Sequence, residues 1–436
     1  MSFLPNIVFI LLLCIGGGFF VYNIRKLIRN IRLGKEEEVI GHKKERLKNM
    51  LRVALGQQKM LIRPVVGVLH IIVYTGFLII NIELLEILID GIFGTHRVFA
   101  FLGKFYNFLI ASFEVLALLV IVSVTVFWIR RRVLKLPRFQ KVELKGWAKK
   151  DAMNILYAEM VMMSLFLLMN AADAQLQELQ VSHYIQVRSF PVSQVLQTLL
   201  QNLSVTTLVI IERSCWWLHI IGILCFLNYL YYSKHLHILL AFPNTYYASV
   251  RPLGAFRVNP VVTREVKLML DPTVDPFATS QENNTPEKFG ASDVTDLTWV
   301  QLMNAYTCTE CGRCTDECPA NLTGKKLSPR AIMMKTRDRI EEVGRGIDRY
   351  GAIQEDGKQL LGDYITAEEL WACTSCNACV EVCPVSINPL SIIMDMRQYL
   401  VMEQSVAPTE LNAMMNNIEN NGAPWAYSQS DRFIQE

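Results

Sequence analysis

Apolar positions run almost unbroken in five stretches of the first 240 residues, then give way to short sets spaced for one face of a helix. The five stretches fall at approximately 4–24, 64–89, 105–129, 152–171 and 209–233. Each reaches the roughly 20 residues that an α-helix needs to cross a bilayer. No basic residue precedes the first stretch, whose first positive charge is Arg25, and this separates it from a cleaved signal peptide. Gly16-Gly17-Gly18 inside it predicts close helix packing. Between the fourth and fifth stretches, Pro191 to Leu203 sets Val192, Val195, Leu196, Leu199, Leu200 and Leu203 on one face. That is the pattern of an amphipathic helix lying on the membrane or capping a bundle. Beyond residue 290 the spacing predicts helices over 296–305, 329–343, 367–370 and 389–401, the third opened by the capping pattern Thr366-x-x-Glu369. The predicted class is all-α: a five-helix transmembrane bundle followed by a cytoplasmic α-helical domain.

Charge divides the chain at a similar place. The net +3 conceals 28 Lys and Arg against 14 Asp and Glu over residues 1–263, and 15 against 26 over 264–436. Basic residues crowd into 25–63 (12 against four Glu) and 130–151 (nine against two acids), whereas 90–104 holds only Arg97 and Lys104 and 172–208 only Arg188. The positive-inside rule puts the two basic loops in the cytoplasm, the N-terminus outside and everything after Lys234 inside. These loops read as orientation signals in contact with membrane lipid, not as a nucleic-acid surface. Hydrophobic residues make up 52% and charged residues 19%, with mean hydropathy +0.26, which excludes a disordered chain or a single soluble globule. The setting implied is the inner (plasma) membrane of a prokaryotic cell.

Histidines and acids inside the apolar stretches are the first candidates for chemistry. His70 lies about two turns into the second stretch. His219 and His237 are 18 residues apart, five turns of a continuous helix, so both would share one face of the fifth helix. A neutral imidazole is a natural axial ligand for haem iron, and facing helices can sandwich the macrocycle. The alternative is a histidine hydrogen-bonded within the bundle or at the headgroups. Glu83, Glu86, Glu114 and Glu212 fall in the outer half and Glu159 in the inner half, either as proton acceptors for quinone chemistry or as residues at the interface.

Eight of the eleven cysteines make two matching motifs, Cys308-Thr-Glu-Cys311-Gly-Arg-Cys314-Thr-Asp-Glu-Cys318-Pro319 and Cys373-Thr-Ser-Cys376-Asn-Ala-Cys379-Val-Glu-Val-Cys383-Pro384. Both read C-x2-C-x2-C-x3-C-P, the spacing of a two-cluster ferredoxin, in which three thiolates on one loop hold three corners of a [4Fe–4S] cube and the fourth Cys reaches the other cluster. Cys308, Cys311, Cys314 and Cys383 are assigned to one cluster, and Cys373, Cys376, Cys379 and Cys318 to the second. Structural zinc sites pair C-x2-C ligands and need neither a third Cys at that spacing nor a proline. Each motif follows a short helix ending in an aromatic residue, Tyr306 or Trp371.

Two resemblances attach to these residues. Trp217-Leu218-His219 through Ser233-Lys234-His235-Leu236-His237, on the last of five helices, resembles the respiratory nitrate reductase gamma subunit and the b-type cytochrome subunits of membrane heterodisulfide reductases. That resemblance implies haem ligation by His219 and His237 from the last helix and by His70 from the second. The remaining ligand position falls on Ile80, which cannot bind iron. It therefore implies one inner haem b, held by His70 and His237, and leaves a second haem at His219 open; His235 is the competitor for His237. The cysteine motifs, Ser386-Ile387-Asn388-Pro389 and Glu419-Asn420-Asn421-Gly422-Ala423-Pro424-Trp425 resemble the iron–sulfur subunits of heterodisulfide reductase-type and glycolate oxidase-type complexes. In that family the tail leads into Cys-Cys-Gly-rich catalytic domains. No cysteine follows Cys383, so the resemblance implies that the substrate-converting site is carried by a partner chain, with Trp425 and Phe433 as docking residues.

The plan expected is a membrane domain at 1–240, a juxtamembrane segment and linker at 241–290, a two-[4Fe–4S] domain at 291–403 and a docking tail at 404–436. It describes an electron-transfer subunit between the quinone pool and a soluble partner, either a Cys-Cys-Gly-rich iron–sulfur protein or a flavoprotein. A haem-free anchor for the ferredoxin domain and an electron-input subunit of an ion-translocating complex are the alternatives.

Overall fold

The computed structural model describes residues 3–37, 41–187, 189–256, 258–273, 288–428 and 430. Residues 274–287 of the expected linker, Arg188 and Phe433 lie outside the described residues. Among those described there is no strand, only two isolated bridges, in keeping with the all-α expectation. The chain forms two compact units: residues 1–29, 43–246 and 309–312 make one, and residues 30–42, 247–308 and 313–436 the other. The division is less simple in sequence than cuts at 240 and 290.

In the first unit the five apolar stretches are helices long and apolar enough to cross a membrane: α1 Leu4–Ile31, α2 Pro64–Phe93, α3 Lys104–Arg132, α4 Trp147–Glu178 and α5 Val205–Tyr229, the last continued by a tight turn to Tyr232. Pro64 starts α2 where its missing N–H is not needed, and Gly94 ends it at φ +72°. Ser204 caps α5 by accepting the Thr207 N–H. Helices α2 to α5 pack in sequence order, as short antiparallel connections favour. Helix α1 joins through Phe9, buried against Trp216 and Trp217 of α5 and against Gly91 of α2, where a Cβ would stand 2.5 Å from the Phe9 ring. Only Gly16 of the glycine triplet meets another helix, facing Leu224 while its carbonyl accepts the Asn228 Nδ2–H at 3.0 Å. Gly17 and Gly18 face open space, a correction to their expected packing role.

The amphipathic helix expected over 191–203 is reduced to Ser193–Gln197. Ser193 pins its start, its hydroxyl donating to the Leu167 carbonyl and its N–H to Glu114. Val192, Leu196 and Leu200 pack inward, while Val195 and Leu199 point out, so the six apolar residues do not share one face.

The second unit is built on α7 Trp299–Thr307, α8 Pro329–Tyr350, α9 Ala367–Trp371 and α10 Pro389–Met402; the juxtamembrane helix α6, His237–Tyr247, begins in the first unit. Ile332, Ile340, Ile392, Ile393 and Met396 are at most 1% exposed and form its centre. Each full burial contributes roughly 1.5–3 kcal/mol before entropy is counted. The capping box Thr366–Glu369 forms as its sequence predicts, and Thr298–Gln301 makes a second one on α7. The segment after α1 also belongs to this unit. Lys35 N–H donates to the Leu297 carbonyl at 2.7 Å, Trp299 N–H donates back to Lys35 at 3.1 Å, and Asn30 Nδ2–H reaches the Tyr306 hydroxyl at 2.9 Å. This part of the basic loop has a packing role beyond orientation and lipid contact.

Candidate cofactor sites

The histidine expectation changes in one respect. Ser233 adopts extended backbone (φ −110°, ψ 147°), so α5 ends before His237, which instead opens α6. The 18-residue spacing therefore does not put His219 and His237 on one helix face. The break still brings His237 to His70, with ring centroids 6.5 Å apart and planes tilted by 41°. A metal bonded at about 2.0–2.1 Å to one nitrogen of each imidazole holds the two centroids roughly 6.3 Å apart. His237 Nδ1 lies 3.1 Å from the Lys234 carbonyl, a contact that orients the ring and leaves Nε2 for a ligand. Burial pushes the His237 pKa down, the Lys234 carbonyl opposing, so the ring is in the neutral form that binds metal.

His235 stands perpendicular to His237 at 5.4 Å, with Nε2 3.8 Å from Glu159 and its ring against Phe226. Burial, followed by the neighbouring His237 and His70, pushes its pKa down to about 3. His219 is buried in α5, its Nδ1 3.0 Å from the Met162 carbonyl and its ring against Phe166. Phe166 belongs to the apolar cluster that also buries Ile80. The residues thus fit one haem between His70 and His237, while the neighbourhood of His219 and Ile80 is packed with hydrocarbon and does not fit a second.

The two cysteine loops repeat each other in backbone conformation as well as in sequence. Positive φ occurs at Glu310 and Gly312 around Cys311, and at Ser375 and Asn377 around Cys376. Such reversals turn successive N–H groups toward one concave side, which suits an anionic cluster. Ser375 N–H donates to Cys373 Sγ at 3.4 Å and Ile387 N–H to Cys383 Sγ at 3.3 Å. Cys318 acts electrostatically on both Cys373 and Cys379, as does Cys376; burial raises the Cys373 thiol and pushes that of Cys379 to about 12. Cys318, the cysteine of the first motif that is followed by proline, is therefore within electrostatic reach of Cys373 and Cys379 of the second. The helices Arg313–Asp316 and Ala378–Glu381, which carry Cys314 and Cys379, pack together. Among the described residues no three His, Cys, Asp or Glu side chains converge on a single metal ion.

Residues not singled out in the sequence support these loops. Arg397 of α10 donates to the Leu370 carbonyl at 2.6 Å and the Cys373 carbonyl at 2.5 Å, with its guanidinium 4.9 Å over the Trp371 ring. Asn304 of α7 accepts the Asn388 N–H at 2.8 Å. Lys234, buried, pairs with Glu310 and donates to the Ala148 carbonyl at 2.7 Å. The residue that orients His237 thus also holds the segment between Cys308 and Cys311.

At the other end of the bundle Glu83, Glu86, Glu114 and Glu212 are all buried within the protein. Arg97 donates to Asp173 at 2.7 Å, Asn170 at 3.0 Å and Tyr106 at 3.3 Å. Tyr106 donates to Glu86 at 2.6 Å, and Asn170 to Glu114 at 3.2 Å. Arg97, Tyr106, Asn170 and Asp173 were missed in the sequence, although Asn170 and Asp173 late in an apolar helix were a legible signal.

Residues 307–387 match the model of the 4Fe-4S dicluster domain. Over 95% of its length the chain is 28% identical to the "Probable iron-sulfur-binding oxidoreductase FadF" of Bacillus subtilis, covering 58% of that protein. It is 24% identical over 87% of its length to the "EtfAB:quinone oxidoreductase" of Syntrophomonas wolfei, covering 52% of it. A third relative is a component of the "Dihydromethanophenazine:CoB--CoM heterodisulfide reductase" of Methanosarcina acetivorans, 28% identical over 34% of this chain and 36% of the other. The chain spans little more than half the length of the first two, and no solved structure matches it. The iron–sulfur part of the heterodisulfide reductase resemblance is thereby supported.

Proposed function

We propose that the chain is a membrane-bound electron-transfer subunit, passing electrons between quinone and a soluble redox partner through haem b and two [4Fe–4S] clusters. The observation that carries this reading is the doubled cysteine loop, alike in spacing and in backbone reversals, joined in one chain to five apolar helices. Cys308, Cys311, Cys314 and Cys383 would hold one cluster, and Cys373, Cys376, Cys379 and Cys318 the other. The Cys318 neighbourhood supports that exchange of ligands.

His70 and His237 would hold the haem, and their 6.5 Å separation supports it. A haem bound there supplies a one-electron centre, which suits an exchange between two-electron quinone chemistry and one-electron clusters. The task of the protein is placement and tuning: Lys234 fixes the His237 ring, and Arg397 sets a positive charge beside the second loop. The iron–sulfur domain is read as cytoplasmic because segment 30–37, part of the basic loop 25–63, belongs to the same unit, a reading the loop charges support. A substrate-converting domain outside residues 1–436, either Cys-Cys-Gly-rich or a flavoprotein, is the expected partner, and a name joining EtfAB to quinone supports a protein partner.

The test is the absorption and EPR spectra of the anaerobically purified, dithionite-reduced protein. A b-type haem band and signals from two [4Fe–4S] clusters are expected. Clusters without haem would leave only an anchored ferredoxin.

A further inference from the structure

Four carboxylates and one guanidinium are buried together far from the histidine pair. Glu83 and Glu86 belong to α2, Glu114 to α3, Asp173 to α4 and Arg97 to the α2–α3 connection, each at most 6% exposed. Glu83 is 13 residues beyond His70, about 20 Å along the helix axis. If all four acids were ionised, one Arg97 would face four negative charges in a membrane interior, where unpaired charge is very costly. Charge balance therefore requires bound protons or another cation.

The hydrogen bonds distinguish the acids. Asp173 takes Arg97 and Gln177. Glu86 takes the Phe99 N–H at 2.7 Å and the Tyr106 hydroxyl at 2.6 Å. Glu114 takes the Val192 and Ser193 N–H groups and Asn170. Donors favour the charged carboxylate. Glu83 differs: its Oε2 is buried with no hydrogen-bond partner, although the side chain lies in the field of Arg97, Glu86, Glu114 and Asp173. Glu212 on α5 is paired with Arg213 and Tyr184 and does not balance this group.

We propose that Glu83 is a proton-binding site of the bundle, whose carboxyl carries an exchangeable proton taken up or released as quinone is reduced or quinol oxidised. A metal cation fits less well. It needs several oxygen ligands, and the neighbouring carboxylates already take donors, whereas a proton needs only the Glu83 oxygen. Arg97 and its partners hold the remaining charge fixed, so that one group is left to change its protonation. This rests on the quinone-linked reading above and adds the side of the bundle at which protons are handled.

The test is infrared spectroscopy of the purified full-length protein, recorded as a reduced-minus-oxidised difference with quinol as reductant. The C=O stretch of a protonated carboxyl should change with redox state, shift in D2O and be lost in Glu83→Gln, but persist in Glu86→Gln. If Glu83→Gln does not fold, Glu83→Asp should move the band instead. The proposal is overturned if no such band exists, if it survives Glu83→Gln, if redox leaves it unchanged, or if it responds to Na+ in place of D2O. The haem absorbance of the same sample separates the two failures. A missing haem band sinks the quinone-linked reading, while a reducible haem with a silent carboxyl sinks this inference alone.

Discussion

The rings of His70 and His237 stand 6.5 Å apart although 167 positions separate them in sequence, the one from the second apolar helix and the other opening the helix after the fifth. Removing either ligand should empty one haem site. His70→Ala and His237→Ala should each take the purified protein from about one haem b per chain toward none, whereas His235→Ala and His219→Ala should keep most of it. Pyridine haemochrome assay gives the count. Retention of haem in His237→Ala with loss in His235→Ala would reassign the ligand.

Exchange of ligands between the cysteine motifs gives an outcome that sequence adjacency would not. Cys318→Ser should abolish the second cluster, whose other ligands begin 55 residues later, and spare the first. Cys383→Ser should do the reverse. Spin quantitation by EPR separates this from the alternative, in which each motif loses its own cluster.

How far these sites could be read from the sequence follows from what each depends on. The dicluster motif is written in local cysteine spacing, and spans in unbroken apolar runs, so the dicluster domain and the five helices were legible. The His70–His237 pair came from a resemblance, and the spacing argument beside it failed because one extended residue, Ser233, breaks the helical count. Arg97, Tyr106 and Arg397 were illegible because their partners are brought together only by packing. The 191–203 segment misled for a similar reason: Ser193 and Glu114 fix its path through hydrogen bonds that no periodicity encodes.

Lys234 should be more important to stability than its place beside a helix end suggests. Its ammonium pairs with buried Glu310, and Lys234→Met would leave that carboxylate without the pair. Breaking one side of a buried pair costs about 3–5 kcal/mol, whereas replacing both partners with apolar residues is often near neutral. Denaturant unfolding should show Lys234→Met strongly destabilised and Lys234→Met/Glu310→Leu close to the native protein. Equal stability of all three would show that the pair contributes nothing.

Acid should weaken the second unit through Asp296. Burial alone would raise its carboxyl pKa, but the Lys288 ammonium at 2.6 Å and the Ser292 and Asp293 N–H groups outweigh it and hold the group below its ordinary 3.8. A depressed folded-state value stabilises above the unfolded one, and the benefit is lost as pH falls through the folded value. Asp296→Asn should therefore cost about 1.5–3 kcal/mol at neutral pH, the scale of a hydrogen bond to a charged group. The gap to the native protein should close below pH 3.8. Unfolding midpoints across that range check it, and a gap independent of pH would rule out the charge.

The central claim is that this chain moves electrons between quinone and its own centres. It is tested most directly by adding a short-chain quinol to the oxidised, purified protein and recording the absorption spectrum. The account predicts that a b-type haem band rises and that His70→Ala abolishes it. A protein that shows no such band with quinol, and none with dithionite, would contradict it.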